Sequence, residues 1–416
     1  MEISKVVHKI SLLHSTNTET PTPFLLAKEM INYINADWSN PNLKILDAGC
    51  GRGTFLLAVI EKLEKYGHSR KHIITNMLYG VDRSRIQSMI ASKALKLVCD
   101  VKSNIYCDNS LERKFKMKFD VVVGNPPYNW SDGDKQRKNN RENLWTRFVA
   151  KSFEEWVAKD GYVAMVVPKT WMSPSRDYGT TIIVQDYFKP NQVEAINIDE
   201  CARHFNVGSS FSYFVVHVDG SKSSQPTKVV SNSGKFKMDL TSDTWDMGIP
   251  TVLEKDIIST LGKFYKNATP FDWLRQYEGQ VDELLSQGPV TVFHTAASKG
   301  KTFCNVPSYL HKTVKVMVSL SGRYEPFYDD GNTSPSGFII CLKMKDEETL
   351  ANAKSVLDSK LYRLVVDKLF RYNGFINGNV LKGLPALDLK KLWSDQDIYD
   401  YYDLTQDEIN AIERNS

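Results

Sequence analysis

The chain has 416 residues and a formal net charge of +4, a length that predicts two or three domains with ample room for buried cores. Its composition is that of a soluble globular protein, and no apolar run approaches the length of a membrane span. The mild positive charge permits a polyanionic partner without requiring one. Six cysteines without CxxC or Cys/His ligand spacing exclude a recognisable zinc frame and predict reduced thiols.

From the N-terminus, Met1 to Thr20 is polar and lacks a signal-peptide h-region. Leu25, Leu26, Ala27, Met30, Ile31 and Ile34 then follow helical spacing, with Thr22 placed as N-cap and Pro23 at the first helical position. Leu43 to Leu46 is a short strand that runs into Asp47-Ala48-Gly49-Cys50-Gly51-Arg52-Gly53-Thr54, and a helix follows from Phe55 to about Tyr66. Glycines at alternate positions allow positive φ and a close approach of ligand to backbone, although a structural tight turn has the same appearance. The third glycine arrives one residue earlier than in the dinucleotide fingerprint, which argues against a nicotinamide dehydrogenase. The strand Met77 to Val81 ends in Asp82, an acid that can accept both hydroxyls of a ribose or cap the next helix. Asn104 to Cys107 is a third strand tipped by an acid, Asp108.

Val121-Val122-Val123 reads as a buried parallel strand that breaks at Gly124 into Asn125-Pro126-Pro127-Tyr128. The prolines cannot continue a ladder and hold the tip extended beyond the strand's carboxyl end, where open α/β sheets bind ligands. Asn125 Oδ1 and the Pro126 carbonyl can each accept one hydrogen of an exocyclic amine on a planar ring, while Tyr128 stacks on that ring. Two such acceptors draw the lone pair out of conjugation and make the nitrogen a nucleophile without a strong base. The alternative is a Pro-Pro turn whose tyrosine covers the core.

In the order Thr-Pro, Asp-x-Gly-x-Gly-x-Gly, Val-Asp, Asp and Asn-Pro-Pro-Tyr, the chain resembles the gamma-class (TaqI-like) adenine-N6 DNA methyltransferases of restriction-modification systems. The resemblance implies an α/β fold, a Rossmann-like mixed seven-stranded methyltransferase sheet that binds S-adenosyl-L-methionine, with a C-terminal α+β target-recognition domain. Residues 1–220 are then the catalytic domain, 221–250 a linker region and 251–416 the target-recognition domain. It further implies that Thr22, Pro23 and Phe24 lie beside the methionine moiety, and that Asp47, Gly49 and Gly51 form the cofactor turn. Asp82 becomes the ribose ligand, Asp108 the acid at the cofactor's adenine amine, and Asn125, Pro126, Pro127 and Tyr128 the catalytic tetrad, Asn125 also bordering the cofactor.

Asp132 to Arg147 is polar and basic, suited to phosphates beside a base pocket or to a plain solvated loop. Leu144, Trp145, Phe148 and Val149 have helical spacing and read as core. Gly161 to Val167 is another buried strand, ending in Pro168-Lys169-Thr170-Trp171, which resembles the family's Pro-x-x-aromatic segment. Val193 to Ile198 follows as a strand, and Gly208 to Val218 carries the last strand of the sheet. There the resemblance implies an aromatic residue packed against the flipped target base; Phe211 is the candidate, with a core role as its alternative, and His217 reads as structural. Gly220 to Asp243, rich in Ser, Lys, Asn and Gly, reads as a linker or hairpin zone.

Beyond it, a helix is expected around Thr251 to Tyr265, a strand at Val290 to Phe293 and a half-buried strand from Val314 to Leu320. Ser321 to Asp330 is a turn crowded with arginine and aromatics, suited to reading base edges or to capping a local core. An amphipathic helix spans about Glu347 to Phe370, and a last one begins at Thr405 with Glu408 completing a capping box. Leu384 to Leu389, Trp393 to Asp395 and Leu404 to Ile409 resemble the C-terminal end of restriction-modification adenine methylases.

The reaction implied is transfer of the sulfonium methyl to adenine N6 in double-stranded DNA after the base leaves the stack, with no metal. The same resemblance implies a cytoplasmic setting in a bacterial or phage-infected cell, no membrane, and action with or without a cognate restriction endonuclease. Methylation of an RNA base and a non-catalytic DNA-recognition subunit are the rival readings. Glutamine methylases of translation factors share Asn-Pro-Pro-Tyr but carry no comparable C-terminal domain.

Overall fold

The computed structural model describes residues 1–13, 21–128, 144–172, 183–198, 211–218, 225–231, 234–238, 248–266, 268–274, 277–295, 302–371 and 375–416. Two compact units emerge, Met1–Trp171 with Asp177–Leu240, and Met172–Arg176 with Thr241–Ser416. The basic stretch at 132–143 lies outside the described residues.

The first unit is built on β1 (Ile45–Asp47), β2 (Leu78–Asp82), β3 (Asn104–Cys107), β4 (Phe119–Gly124), β5 (Val157–Pro168), β6 (Gln192–Asn197), β7 (Phe211–Val218), β8 (Thr227–Ser231) and β9 (Gly234–Met238). They form one sheet in the order β3-β2-β1-β4-β5-β7-β6-β8-β9. Strands β1 to β5 are parallel, and β7 runs antiparallel between β5 and β6. In β4, Phe119, Val121, Val122 and Val123 are all 0% exposed. A central parallel strand is covered on both faces, which selects a continuous apolar run, and each such side chain stabilises the fold by roughly 1.5–3 kcal/mol.

The expected seven strands are β1 to β7, and among the described residues the sheet has nine. The two extra strands come from the stretch expected as a linker or hairpin, and they pair antiparallel as a hairpin. In β8, Val229 and Val230 are consecutive and both fully buried, because β8 continues the sheet beside β6. The lysines that made the region look like a linker, Lys235 and Lys237, lie exposed on β9, where charge protects an outer strand from further pairing.

Helices α1 (Ile3–Ser11), α2 (Phe24–Asn32), α3 (Thr54–Glu64) and α4 (Arg85–Val98) bury their apolar faces in one core with Ile45, Val121, Val123 and Ala164 of the sheet. Pro23, expected as the first helical residue of α2, is instead its N-cap, with ψ 138°, and Thr22 lies outside the helix. The cap of α4 is Ser84, whose hydroxyl accepts from the Gln87 N–H, so Asp82 is left at the strand end. Helix α5 (Leu144–Lys151) buries Leu144, Trp145, Phe148 and Val149, as their spacing predicts. His217 stacks on Tyr162 with ring centroids 4.4 Å apart.

The second unit carries two three-stranded sheets. One comprises β10 (Val290–Phe293), β11 (Phe303–Cys304) and β14 (Thr333–Pro335); the other comprises β12 (Lys315–Ser319), β13 (Phe327–Asp329) and β15 (Ile339–Lys343). All five residues of β12 are buried, not half of them, and Lys315 enters the core by pairing with buried Asp329 and donating to the Thr313 carbonyl. Helix α6 (Lys255–Tyr265) packs on the C-terminal helix α9, and α7 (Glu347–Leu357) stops at Asp358 before Ser359 restarts a second helical segment, so Glu347 to Phe370 is not one helix. Helix α8 (Asp395–Tyr401) and α9 (Gln406–Asn415) both open with complete capping boxes, the latter through Thr405 and Glu408 as expected. Tyr324, in the arginine-and-aromatic turn, is 1% exposed and belongs to the core of this unit, which removes it from base readout. Among the described residues no helix is long and apolar enough to cross a membrane.

Candidate active site

Because β1, β2, β3 and β4 are parallel, their carboxyl ends bring Asp47, Asp82, Asp108 and the Asn125 tip to one rim. The turn after β1 is shaped by Gly51 at φ +49° and Gly53 at φ +86°, conformations that favour glycine. Gly53 is the N-cap of α3. Asp82 receives the Gly51 N–H at 2.9 Å on one oxygen and the Ser84 N–H at 2.8 Å on the other, so the acid at the end of β2 holds the turn from the side. Burial raises the Asp82 carboxyl above the usual range despite those two donors. A side chain at Gly51 would meet nothing within 4 Å, so open space lies beside that backbone.

Asp47 differs from its neighbours. It is 1% exposed, and desolvation pushes its carboxyl up to about 8, with the Asp82 charge adding to the shift. Its Oδ1 accepts from the Gly49 N–H at 3.3 Å and lies 3.2 Å from where a Cβ on Gly124 would stand. Asp47 is therefore a largely neutral brace between the turn and the end of β4. The buried Ser110 hydroxyl donates to the Ala48 carbonyl and fastens the loop after β3 to the same turn.

Asp108 is more open. Its Oδ1 accepts from the Asn109 N–H and its Oδ2 from Arg113 Nη1, each at 2.8 Å, while its own N–H donates to the Asp82 carbonyl at 3.0 Å. The Arg113 guanidinium lies 3.8 Å from the Tyr106 ring centroid.

The Asn-Pro-Pro-Tyr tip lies directly against the turn. A Cβ placed on Gly49 would be 3.7 Å from Pro126 Cα and 3.9 Å from the Asn125 carbonyl oxygen. Asn125 is half-buried, and the Tyr128 hydroxyl donates to its Oδ1 at 2.5 Å. Tyr128 faces Phe211 with centroids 5.1 Å apart and planes 32° from parallel. Phe211 reaches this place because it opens β7 opposite Pro168, the last residue of β5. Pro126 is buried and Pro127 exposed. Thr22, Pro23 and Phe24 are half-buried at the start of α2, with Phe24 packed on the same core as Tyr128 and Phe211.

Three residues of this region carried no sequence signal of their own. Arg113 and Ser110 looked like ordinary loop residues after Asp108. Arg52 looked like a solvated residue between two glycines, yet it is 7% exposed, and its Nη1 donates to the carbonyls of Ile10 at 2.9 Å and Leu13 at 2.6 Å. The glycine turn is thereby tied to the end of α1.

Residues 60–196, which include the Asp82, Asp108 and Asn125 strand ends, match the Eco57I restriction-modification methylase family. A Mycoplasma pneumoniae protein described as an uncharacterized adenine-specific methylase is 21% identical over 288 residues, 48% of this chain and 67% of its own length. Modification methylase CviBIII of Paramecium bursaria Chlorella virus NC1A is 26% identical over 153 residues, 36% of this chain and 37% of its own. The chain thus spans between about a third and two thirds of these two relatives. Among solved structures, the DrdV–DNA complex superposes with a TM-score of 0.55 at 12% identity, over 82% of this chain and 54% of that one. The matched methylase stretch, 60–196, implies S-adenosylmethionine as the methyl donor. The rim of the sheet fits it: open space lies beside the glycine turn, Asp82 and Asp108 end two successive strands with carboxylates that accept hydrogen bonds, and Asp47 is buried at the end of a third.

Proposed function

We propose that this methylase transfers the methyl of S-adenosylmethionine to N6 of adenine in duplex DNA. The observation that carries the reading is the contact between the glycine turn and the Asn125 tip, with Tyr128 and Phe211 facing each other beside it. A donor held over the turn and an amine held at Asn125 then lie within reach of one another.

When bound, S-adenosylmethionine supplies an electrophilic methyl group. Asp82 accepts the ribose hydroxyls, Asp108 accepts the amine of the donor's adenine, and Thr22, Pro23 and Phe24 border its methionine end. Asn125 Oδ1 and the Pro126 carbonyl would accept the two hydrogens of the target amine, hold its nitrogen toward the donor site, and support the positive charge that grows on it until one of those hydrogens is lost to solvent. Tyr128 and Phe211 enclose the ring once the base has left the stack, a step that costs a few kcal/mol. The Tyr128 hydroxyl yields or shares Asn125 Oδ1 as the amine arrives. The second unit, Thr241–Ser416, is read as the part that recognises the target sequence, and a modification role beside a cognate restriction endonuclease follows from the same reading.

The test is tritiated S-adenosylmethionine offered in parallel to duplex DNA, RNA and protein, followed by nucleoside analysis. Label in N6-methyladenine from DNA is the expected result. Label confined to RNA or to protein, or no transfer to any of the three, would overturn the reading.

A further inference from the structure

Behind Asp108 stands a cation, Arg113, paired with its carboxylate. The Asp108 side chain is 44% exposed and the Arg113 side chain 26%, so the acid faces outward and the arginine backs it. Each carboxylate oxygen has one donor already, the Asn109 N–H on Oδ1 and Arg113 Nη1 on Oδ2. Two donors on opposite oxygens fix the plane of a carboxylate and leave one lone pair on each oxygen for a further donor. The plane of the guanidinium is in turn set by stacking, since Tyr106 lies 3.8 Å and Phe115 5.6 Å from it, and its buried Nε has no hydrogen-bond partner. The Arg113 N–H donates to the Asn109 carbonyl at 2.9 Å, which closes the loop that carries both groups.

We infer that Arg113, locked on Tyr106, is the positioning residue that makes the cofactor subsite select a 6-amino over a 6-oxo purine, by holding Asp108 as a fixed acceptor. The inference rests on the cofactor reading above and deepens it. An ionised carboxylate accepts and never donates, so a correctly placed Asp108 meets the hydrogens of a 6-amino group and opposes the lone pairs of a 6-oxo group. Sites built this way discriminate strongly because the wrong ligand leaves a polar group unpaired. If the guanidinium is removed, the carboxylate is free to turn and accept from water or from either purine edge, so the selection weakens while the rest of the subsite is untouched.

Titration calorimetry with S-adenosylhomocysteine and its 6-oxo counterpart, S-inosylhomocysteine, tests this. The native protein should prefer the adenine ligand by about tenfold or more, the worth of a charge-assisted hydrogen bond. Arg113→Met and Tyr106→Leu should each shrink that preference to about threefold or less, through weaker binding of S-adenosylhomocysteine alone. Arg113→Lys keeps the charge but not the stacked fork and should lose selectivity too; it supplies the comparison if melting curves show Arg113→Met to be unfolded. An unchanged preference in a folded variant, or equal losses for both ligands, would overturn the inference and leave Arg113 a loop anchor. A native protein that binds neither ligand would instead overturn the cofactor reading, and this inference with it.

Discussion

At the residue scale, the side-chain oxygen that the reaction needs is already engaged. The Tyr128 hydroxyl holds Asn125 Oδ1, and exchanging that donor for an amine hydrogen swaps one hydrogen bond for another at little net cost. Asn125→Ala should therefore leave the dissociation constant for S-adenosylhomocysteine nearly unchanged, while kcat falls by about a hundredfold or more; rapid-quench turnover with saturating DNA checks it, and an unchanged kcat removes Asn125 from the chemistry. Asp47 yields a pH prediction. Its carboxyl is raised from 3.8 to about 8 in the folded protein, so the folded state holds a proton that the unfolded chain has released over that range. The stability that this group allows is complete below pH 3.8 and is lost as pH rises through about 8. Asp47→Asn should change stability little near the acid end of that range and stabilise increasingly toward pH 8, read by urea denaturation at several pH values; an offset independent of pH would refute it. The sequence sets Asp47 at the head of the glycine turn and Asp82 before a plain helix, but it does not show which of the two acids is buried. Burial distinguishes them, and burial depends on Gly124 passing close above Asp47.

At the element scale, the strongest agreement lies where one physical signal is confined to contiguous residues. The strand β4 and its tip need only a β-branched run and two prolines, and α9 needs only Thr405 three residues before Glu408. Thr405→Ala should cost about 1 kcal/mol, as the loss of a helix cap does. Glu408→Ala should cost more, because Glu408 is 3% exposed and also pairs with Lys263 at 2.8 Å and accepts from Ser259 at 2.6 Å. Chemical denaturation of the two variants ranks them, and the reverse order would show that the cap outweighs the pair. Misreadings cluster where an element is defined by its neighbours. Strands β8 and β9 left linker and hairpin open in the sequence because their flanks are polar; they form the hairpin, and β8 joins the large sheet because β6 presents an open ladder. Strand β12 reads as half-buried because a lysine interrupts its apolar run, yet Lys315 is paired with Asp329 inside the core. Removing one partner of a buried ion pair strands the other, so Asp329→Ala should destabilise by about 3–5 kcal/mol, with little response to added salt in thermal melts.

At the scale of the whole molecule, ligand linkage offers the broadest check. S-adenosylhomocysteine at a hundred times its dissociation constant should stabilise the native protein by about 2.7 kcal/mol, and the same concentration should leave the Asp82→Ala variant's melting temperature unmoved. An equal shift in that variant would place the ligand away from the rim. The order of motifs along the chain, from the glycine turn through two strand-end acids to Asn-Pro-Pro-Tyr, was readable in one dimension because each motif is a local backbone shape with its chemistry attached. The parallel sheet does what no such motif encodes. It carries Phe211 from far along the chain to the face of Tyr128, and it draws Arg52 onto the end of α1. Those contacts join residues whose separation in sequence bears no relation to their distance in space, so they exist only once the strands have paired and the core has closed.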